Sequence, residues 1–154
     1  MTHWIGIDPG QSGGLAYLRP DGSMWWAIGM PAVDGEVDAV ALYHILADAT
    51  VGGEGVKVAI EQVHSMPGQG VSSTFKFGKN FGIALGVVAA LQLPLHRITP
   101  QTWKKQFVLT GKDKDASRHK ATEFWPTMAD CWKRKADNGI SDAALIAECA
   151  RRTL

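Results

Sequence analysis

The chain has 154 residues, 45% of them hydrophobic, and a formal net charge of +1. This length can bury a core without disulfides or a structural metal, so we expect a single domain over residues 1–154. No stretch approaches the roughly 18 apolar residues of a membrane span, and we expect no membrane partner.

The start of the chain resembles a strand rather than a leader sequence. It lacks a basic segment followed by an apolar one, so we expect no secretory signal and a cytoplasmic location. Cys131 and Cys149 lack the spacing of a metal site, and we expect both to be reduced.

Apolar periodicity and turn residues predict the elements in chain order. The first half contains strands over residues 3–7, 15–18 and 23–30, a helix from about residue 37 that ends at Gly52 and Gly53, and a strand over 56–61. The second half contains a helix over 74–91, a strand over 94–98, a helix from Pro100 with Thr99 as N-cap, short helices to Pro126, and a last helix over 141–152 with Ser141 as N-cap. The order βββαβαβα predicts an α/β fold, a mixed sheet flanked by helices.

Three acidic residues stand at the ends of predicted elements, beside apolar neighbours. Asp8 ends the first strand, Glu61 ends the fourth, and Asp142 opens the last helix. Strands one and four can lie side by side in such a sheet, which would bring Asp8 and Glu61 together. A carboxylate group without His or Cys ligands favours Mg²⁺ or Mn²⁺ and phosphate chemistry. Each acid alone also fits a structural role, as a turn residue, a strand-end ion pair or a first-turn helix acid.

Three motifs resemble those of the RuvC-type Holliday junction resolvases, members of the ribonuclease H-like superfamily. Residues 5–10 (IGIDPG) are similar to the first-strand motif of that family, residues 60–63 (IEQV) to its fourth-strand motif, and residues 141–147 (SDAALIA) to its C-terminal helix. The resemblance covers nearly the whole chain in the right order. It implies a ribonuclease H-like fold, a homodimer, and a magnesium-dependent crossover junction endodeoxyribonuclease.

The resemblance also implies the reaction. Two Mg²⁺ ions per active site, replaceable by Mn²⁺, would support phosphodiester hydrolysis in four-way or branched DNA, leaving 5′-phosphate and 3′-hydroxyl ends. Lys104 or Lys105 resembles the lysine that the family places near the scissile phosphate. The alternatives are a catalytically weak or silent junction-binding protein and another branched-DNA or flap nuclease of the same fold. ATPases of the actin and sugar kinase type share a related first strand but need two such domains, so we expect no nucleotide cofactor.

The fourth acid of the site is ambiguous. RuvC-like proteins carry another Asp about one helical turn before the last one, and here that position holds Asn138, whereas Asp137 lies five residues before Asp142. Positions i and i+4 differ by about 40° around a helix, and positions i and i+5 by about 140°. If the helix starts at Ser141, Asp137 lies in the preceding loop and escapes this restriction. We therefore predict Asp137 as the fourth metal ligand, with Asn138 as the alternative.

Basic residues are concentrated in one internal stretch. Residues 96–135 hold ten Lys/Arg against four Asp/Glu, whereas residues 1–95 hold four against eight. A localised basic patch suits a polyanion, although clustered charges can also form a merely solvated face. The residues predicted to contact DNA here are Lys112, Lys114, Arg118 and Lys120, with Lys133, Arg134 and Lys135 just before the acidic pair.

The long helix carries a second candidate DNA surface. Phe75 and Phe77 alternate with Lys76 and Lys79, a pattern that suits stacking on unpaired bases and contact with phosphates. In the resembled family this region wedges into the junction; the alternative is that the aromatic side chains pack in the core.

Two further features leave alternatives open. Gly78, Gly82 and Gly86 form a narrow stripe on the long helix, which a helix of a dimer partner or of the same chain could approach. His64 and His119 are candidate catalytic helpers, although a lone His is more often a surface residue.

Overall fold

A computed structural model describes residues 1–52 and 55–154. The strands are β1 (His3–Asp8), β2 (Gly14–Leu18), β3 (Met24–Gly29), β4 (Ala32–Val33), β5 (Glu36–Val37), β6 (Val56–Glu61) and β7 (Leu95–Ile98). Five of them form the main sheet in the spatial order β3-β2-β1-β6-β7. The pairs β3-β2 and β2-β1 are antiparallel, and β1-β6 and β6-β7 are parallel. This is the mixed sheet predicted from the sequence.

Helices cover both faces of this sheet. They are α1 (Ala39–Thr50), α2 (Val71–Ala90), α3 (Pro100–Gln106), α4 (Asp115–Phe124) and α5 (Asn138–Thr153), with 3₁₀ turns at Pro126–Trp132 and Lys135–Asp137. Thr99 caps α3 as predicted, because its side chain accepts a hydrogen bond from the backbone N–H of Thr102. Among the described residues, no helix is long and apolar enough to cross a membrane.

Alternation along β1 creates one core on each side of the sheet. Trp4 packs on the side of α3, α4 and α5, whereas Ile5 and Ile7 pack on the side of α1 and α2. Successive side chains of a strand point to opposite faces, so a run of apolar residues in a central strand serves both cores. The helix α5 lies across β1 and β2 and is buried along most of its length.

Several element boundaries differ from the predictions. The helix α2 begins at Val71 rather than at residue 74. The helix α5 begins at Asn138 rather than Ser141, which is buried and donates its hydroxyl to the Asn138 carbonyl instead of capping the helix. The link before α1 contains the small hairpin β4–β5. The first helix ends at Thr50; Gly53, part of its predicted stop, lies outside the described residues.

Candidate active site

The ends of β1 and β6 place the first two predicted acids side by side. The parallel register pairs Ile7 with Ile60, so Asp8 and Glu61 occupy the next position on neighbouring strands. The backbone N–H of Gly10 donates to Asp8 Oδ1 at 3.5 Å. The predicted juxtaposition of Asp8 and Glu61 is therefore present in the structure.

Close backbone packing brings the third acid to the same site. A Cβ atom at Gly6 would overlap the carbonyl oxygen of Ala143, and one at Gly139 would overlap the backbone of Gly13. Only glycine allows α5 to approach the sheet and its first turn this closely. Asp142 directly precedes Ala143, so this contact fixes its distance from Asp8.

Asp8 and Asp142 line one cleft of about 580 Å³, called the Asp8–Asp142 cleft below. Its other polar or charged lining residues are Ser12, Trp103, Lys104, Lys112, Asp113, Lys114, Ser117, Lys135 and Asn138. Three carboxylates, those of Asp8, Asp113 and Asp142, thus share the cleft with four lysines, an arrangement that can bind a phosphate group while holding a cation.

The three acids share one electrostatic environment. Burial raises the pKa of Asp8 well above its ordinary value, and the charges of Glu61 and Asp142 raise it further. Burial also raises the pKa of Glu61, and that of Asp142 to about 6. Lys104 is the cation that lowers the pKa of all three carboxyls. Burial and mutual repulsion disfavour the charged carboxylates, a cost that a bound cation offsets.

Glu61 makes a specific hydrogen bond to a buried tryptophan. The indole N–H of Trp103, on α3, donates to Glu61 Oε2 at 2.7 Å. No three His, Cys, Asp or Glu side chains of residues 1–52 and 55–154 are arranged closely enough to hold a metal ion as they stand. The donor chemistry nevertheless fits a hard divalent cation, because Asp8, Glu61 and Asp142 offer only carboxylate oxygens.

The structure separates the two candidates for the fourth residue of the site. Asp137 lies in a 3₁₀ turn, where its carboxylate forms an ion pair with Arg134 at 2.9 Å and accepts a hydrogen bond from the Arg134 backbone N–H. These bonds hold the pKa of Asp137 below its ordinary value. Asn138 lines the Asp8–Asp142 cleft, and its buried Oδ1 has no hydrogen-bond partner among the described residues. Because α5 starts at Asn138, the i, i+4 register with Asp142 applies, and Asn138 rather than Asp137 shares the cleft.

The predicted basic residues divide into two groups. Lys104, Lys112 and Lys114 line the Asp8–Asp142 cleft. Lys105 is exposed outside its lining. Arg118 pairs with Asp115, and Lys120 pairs with Glu123 at 2.8 Å. The predicted basic residues that line the cleft thus lie on α3 and in the loop between α3 and α4, and those on α4 do not line it.

The aromatic residues predicted to wedge into DNA are on the surface. Phe75 is 71% exposed and Phe77 is 40% exposed, which removes the alternative that they pack in the core. Lys76 is exposed beside them, and Lys79 forms an ion pair with Glu36 of β5 at 2.6 Å. These side chains are available for contact with a partner molecule.

The glycine stripe on α2 faces open space. Cβ atoms at Gly78, Gly82 and Gly86 would meet no described atom within 4 Å apart from the local backbone of α2, so none of the described helices packs directly on these positions. His64 and His119 are both exposed, and neither lines the Asp8–Asp142 cleft.

Sequence reasoning did not identify three residues of the site. Trp103 donates a hydrogen bond to Glu61. The buried Ser117 has its hydroxyl 3.3 Å from that of Ser141, and a hydrogen bond from Ser117 lowers the pKa of Asp142. Ser12 lines the cleft from the turn after β1. Only their positions in the sequence could have indicated two of them, because Trp103 is next to Lys104 and Ser12 follows the motif that contains Asp8.

The sheet order, with β1 central between an antiparallel and a parallel half and with helices on both faces, is the ribonuclease H-like fold. No protein-family model matches the sequence, and neither does any curated protein.

Solved structures give a clear similarity. RuvC of Thermus thermophilus in complex with a Holliday junction substrate matches with a TM-score of 0.70 and 16% identity, covering 99% of this chain and 97% of that chain. Another structure of Thermus thermophilus RuvC matches with a TM-score of 0.59 and 16% identity, covering 98% and 96%. The yeast mitochondrial Holliday junction resolvase Ydc2 matches with a TM-score of 0.60 and 12% identity, covering 98% and 79%. The resemblance inferred from the motifs is thus confirmed at the level of the fold.

Proposed function

We propose that this chain is a magnesium-dependent endonuclease that cleaves four-way DNA junctions. The observation that carries the proposal is the cleft that Asp8 and Asp142 share with four lysines, with Glu61 at the end of the strand beside that of Asp8. The fold shared with RuvC, whose structure was determined with a Holliday junction substrate, supports the same substrate class.

The three acids, Asn138 and the four lysines each have a role in this proposal. Asp8, Glu61 and Asp142 would hold two Mg²⁺ ions, or Mn²⁺ in their place, with the amide oxygen of Asn138 as a neutral ligand. When bound, these ions would activate the attacking water and stabilise the leaving 3′-oxygen. The Lys104 ammonium stabilises the negative charge that develops on the phosphate. The other lysines of the cleft bind flanking phosphates and orient the strand. Because water attacks the phosphorus and the 3′-oxygen leaves, the products carry 5′-phosphate and 3′-hydroxyl ends.

The exposed start of α2 supplies the contact to unpaired bases. Phe75 and Phe77 can stack on bases at the branch point, and each stacked base contributes about 1–3 kcal/mol to binding. Lys76 adds a phosphate contact beside them. Paired cuts across a four-way junction require two active sites, and we propose that the open glycine face of α2 pairs with a second copy of the chain.

The test compares wild-type protein and Asp8→Asn on four-way, flap and linear DNA. We expect Mg²⁺-dependent cleavage of the four-way substrate by the wild type. We expect none by the variant, which should retain junction binding because it loses a metal ligand and no phosphate contact. Full cleavage by purified Asp8→Asn would refute the assigned site, and preference for the flap would point to another branched-DNA nuclease.

A catalytically silent junction-binding protein is the second candidate. The neutral Asn138 and the lack of a preassembled three-carboxylate cation site in the described chain favour it. In that case the wild type would bind the junction and cleave no substrate with either Mg²⁺ or Mn²⁺.

A further inference from the structure

Trp103 has an unusual place among the tryptophans of the chain. Its side chain is 1% exposed, yet its indole N–H ends on the carboxylate of Glu61 at 2.7 Å rather than on a backbone carbonyl or a hydroxyl. By contrast, the indole of Trp125 donates to the Gly22 carbonyl and that of Trp132 to the Thr122 hydroxyl. A hydrogen bond to an ionised acceptor is shorter and roughly twice as strong as a neutral one.

We propose that Trp103 is a positioning residue that orients the Glu61 carboxylate for cation binding; the proposal rests on the proposed function. The bond occupies Oε2, and no hydrogen bond within the described residues occupies Oε1. An indole nitrogen can donate a hydrogen bond but cannot accept one, so this contact requires Glu61 Oε2 to be the acceptor. Fixing one carboxylate oxygen removes the rotation of the side chain that a cation would otherwise have to arrest.

The position of α3 explains why this residue can perform the task. The cap at Thr99 sets the start of α3 at the end of β7, which is the strand beside β6. Trp103 points into the core and reaches Glu61, while the adjacent Lys104 lines the Asp8–Asp142 cleft. The Lys104 ammonium also lies 5.5 Å from the Trp103 ring. One short helix therefore positions both the Glu61 carboxylate, through Trp103, and the Lys104 ammonium in the cleft.

The variant Trp103→Phe removes the N–H and keeps an aromatic ring in the core. Trp132→Phe is the matched control, because Trp132 is also 1% exposed and also loses one indole hydrogen bond, but to Thr122. Both changes carry a similar packing cost, so a difference between them reports the bond to Glu61. Loss of an outer-shell partner typically costs about 10–100-fold in metal affinity.

The experiment measures Mn²⁺ affinity by calorimetry on full-length protein without DNA, beside junction affinity without metal. We expect Trp103→Phe to weaken Mn²⁺ binding at least about 10-fold, with Trp132→Phe within about twofold of the wild type and junction affinity unchanged in both. Equal Mn²⁺ affinity in all three proteins would overturn the proposal, as would a wild type that binds no Mn²⁺. Because cleavage by the wild type is assayed separately, a protein that binds Mn²⁺ and cuts no DNA would fail only the proposed function.

A second measurement does not depend on a folded Trp103 variant. The six indole N–H groups give separate nitrogen–proton resonances in a labelled sample. In the wild type, one slowly exchanging indole resonance should shift on addition of Mg²⁺, and that resonance should be displaced and insensitive to Mg²⁺ in Glu61→Gln. If no indole resonance responds to both Mg²⁺ and Glu61→Gln, the positioning role is refuted.

Discussion

Asp142 illustrates the cost of an acidic site at the scale of one residue. Its pKa is raised to about 6 from an ordinary value of 3.8, mainly because the carboxyl is buried, with the charge of Glu61 adding to the effect. In the unfolded chain the carboxyl ionises at the ordinary value. The ionised group therefore destabilises the fold above about pH 6, and this penalty disappears as the pH falls from about 6 to about 4.

The variant Asp142→Asn should consequently be more stable than the wild type in the absence of divalent cations. We expect a gain of about 1–3 kcal/mol in the free energy of unfolding at pH 8, shrinking towards zero near pH 4. Urea denaturation with a chelator across this pH range measures it. A gain of the same size at both ends would contradict the electrostatic explanation and indicate a packing effect.

The choice between Asn138 and Asp137 gives a second prediction at this scale. Asn138→Ala removes a carbonyl oxygen from the Asp8–Asp142 cleft, so we expect the Mg²⁺ concentration for half-maximal cleavage to rise about 10-fold. Asp137→Ala breaks the ion pair with Arg134 outside the cleft and should leave that concentration nearly unchanged. Side-by-side metal titrations of the two variants decide the matter, and the reverse pattern would restore Asp137 as the ligand.

The two acids at strand ends could be placed together from the sequence, whereas the fourth residue of the site could not. Adjacent parallel strands end at the same edge, so Asp8 and Glu61 follow from strand positions alone. The fourth residue depends on where α5 begins, and Ser141 has the residue type of an N-cap without serving as one. The hydrogen bond from Trp103 to Glu61 depends on the packing of α3, which no local pattern encodes.

At the scale of elements, the hairpin β4–β5 braces the half of α2 that carries Phe75 and Phe77. The buried Asn80 makes the connection: its Oδ1 accepts from the Val37 backbone N–H at 3.0 Å, and its Nδ2 donates to the Gly35 carbonyl at 3.4 Å. Asn80 is 2% exposed, and its bond to Val37 is buried, whereas its bond to Gly35 is partly buried. A buried amide that bonds two backbone groups fixes the helix against the hairpin.

Asn80→Ala should therefore destabilise the chain. The Val37 N–H would be left buried without a partner, which costs about 1–3 kcal/mol, measured as a lower urea midpoint. Lys79→Ala is the matched control on the next residue, because its ion pair with Glu36 is solvent-exposed and should contribute less than about 1 kcal/mol. Equal losses of stability in both variants would show that the buried bonds of Asn80 hold the hairpin no more strongly than the exposed ion pair does.

The sequence predicted the long elements better than this short one. The five strands of the main sheet combine apolar patterning with clear turns, and they lie close to their predicted positions. The strands β4 and β5 have two residues each, too few for a period to appear. The missed signal was Asp34-Gly35, which has positive φ at both residues, as a tight hairpin turn requires.

At the scale of the whole molecule, the described residues leave the glycine face of α2 uncovered, and the proposed dimer would cover it. We expect a dimer mass by light scattering at micromolar concentration. Gly82→Leu should shift it towards the monomer without lowering the unfolding midpoint, because no described atom lies near that position. A monomeric wild type with undiminished paired cutting would rule out this interface.

The candidate site takes its acids from β1, β6 and α5, and this has a consequence for the synthesis of the protein. Asp8 lies near the start of the chain, whereas Asp142 lies in its last helix. That helix supplies eight of the 21 buried residues of the core on its side of the sheet. During synthesis the N-terminal part of a chain emerges first, and each part folds as its contacts become available. If the chain is a nuclease, its hydrolytic machinery therefore cannot assemble until α5 has been synthesised, and a fragment that ends before α5 carries no cutting activity.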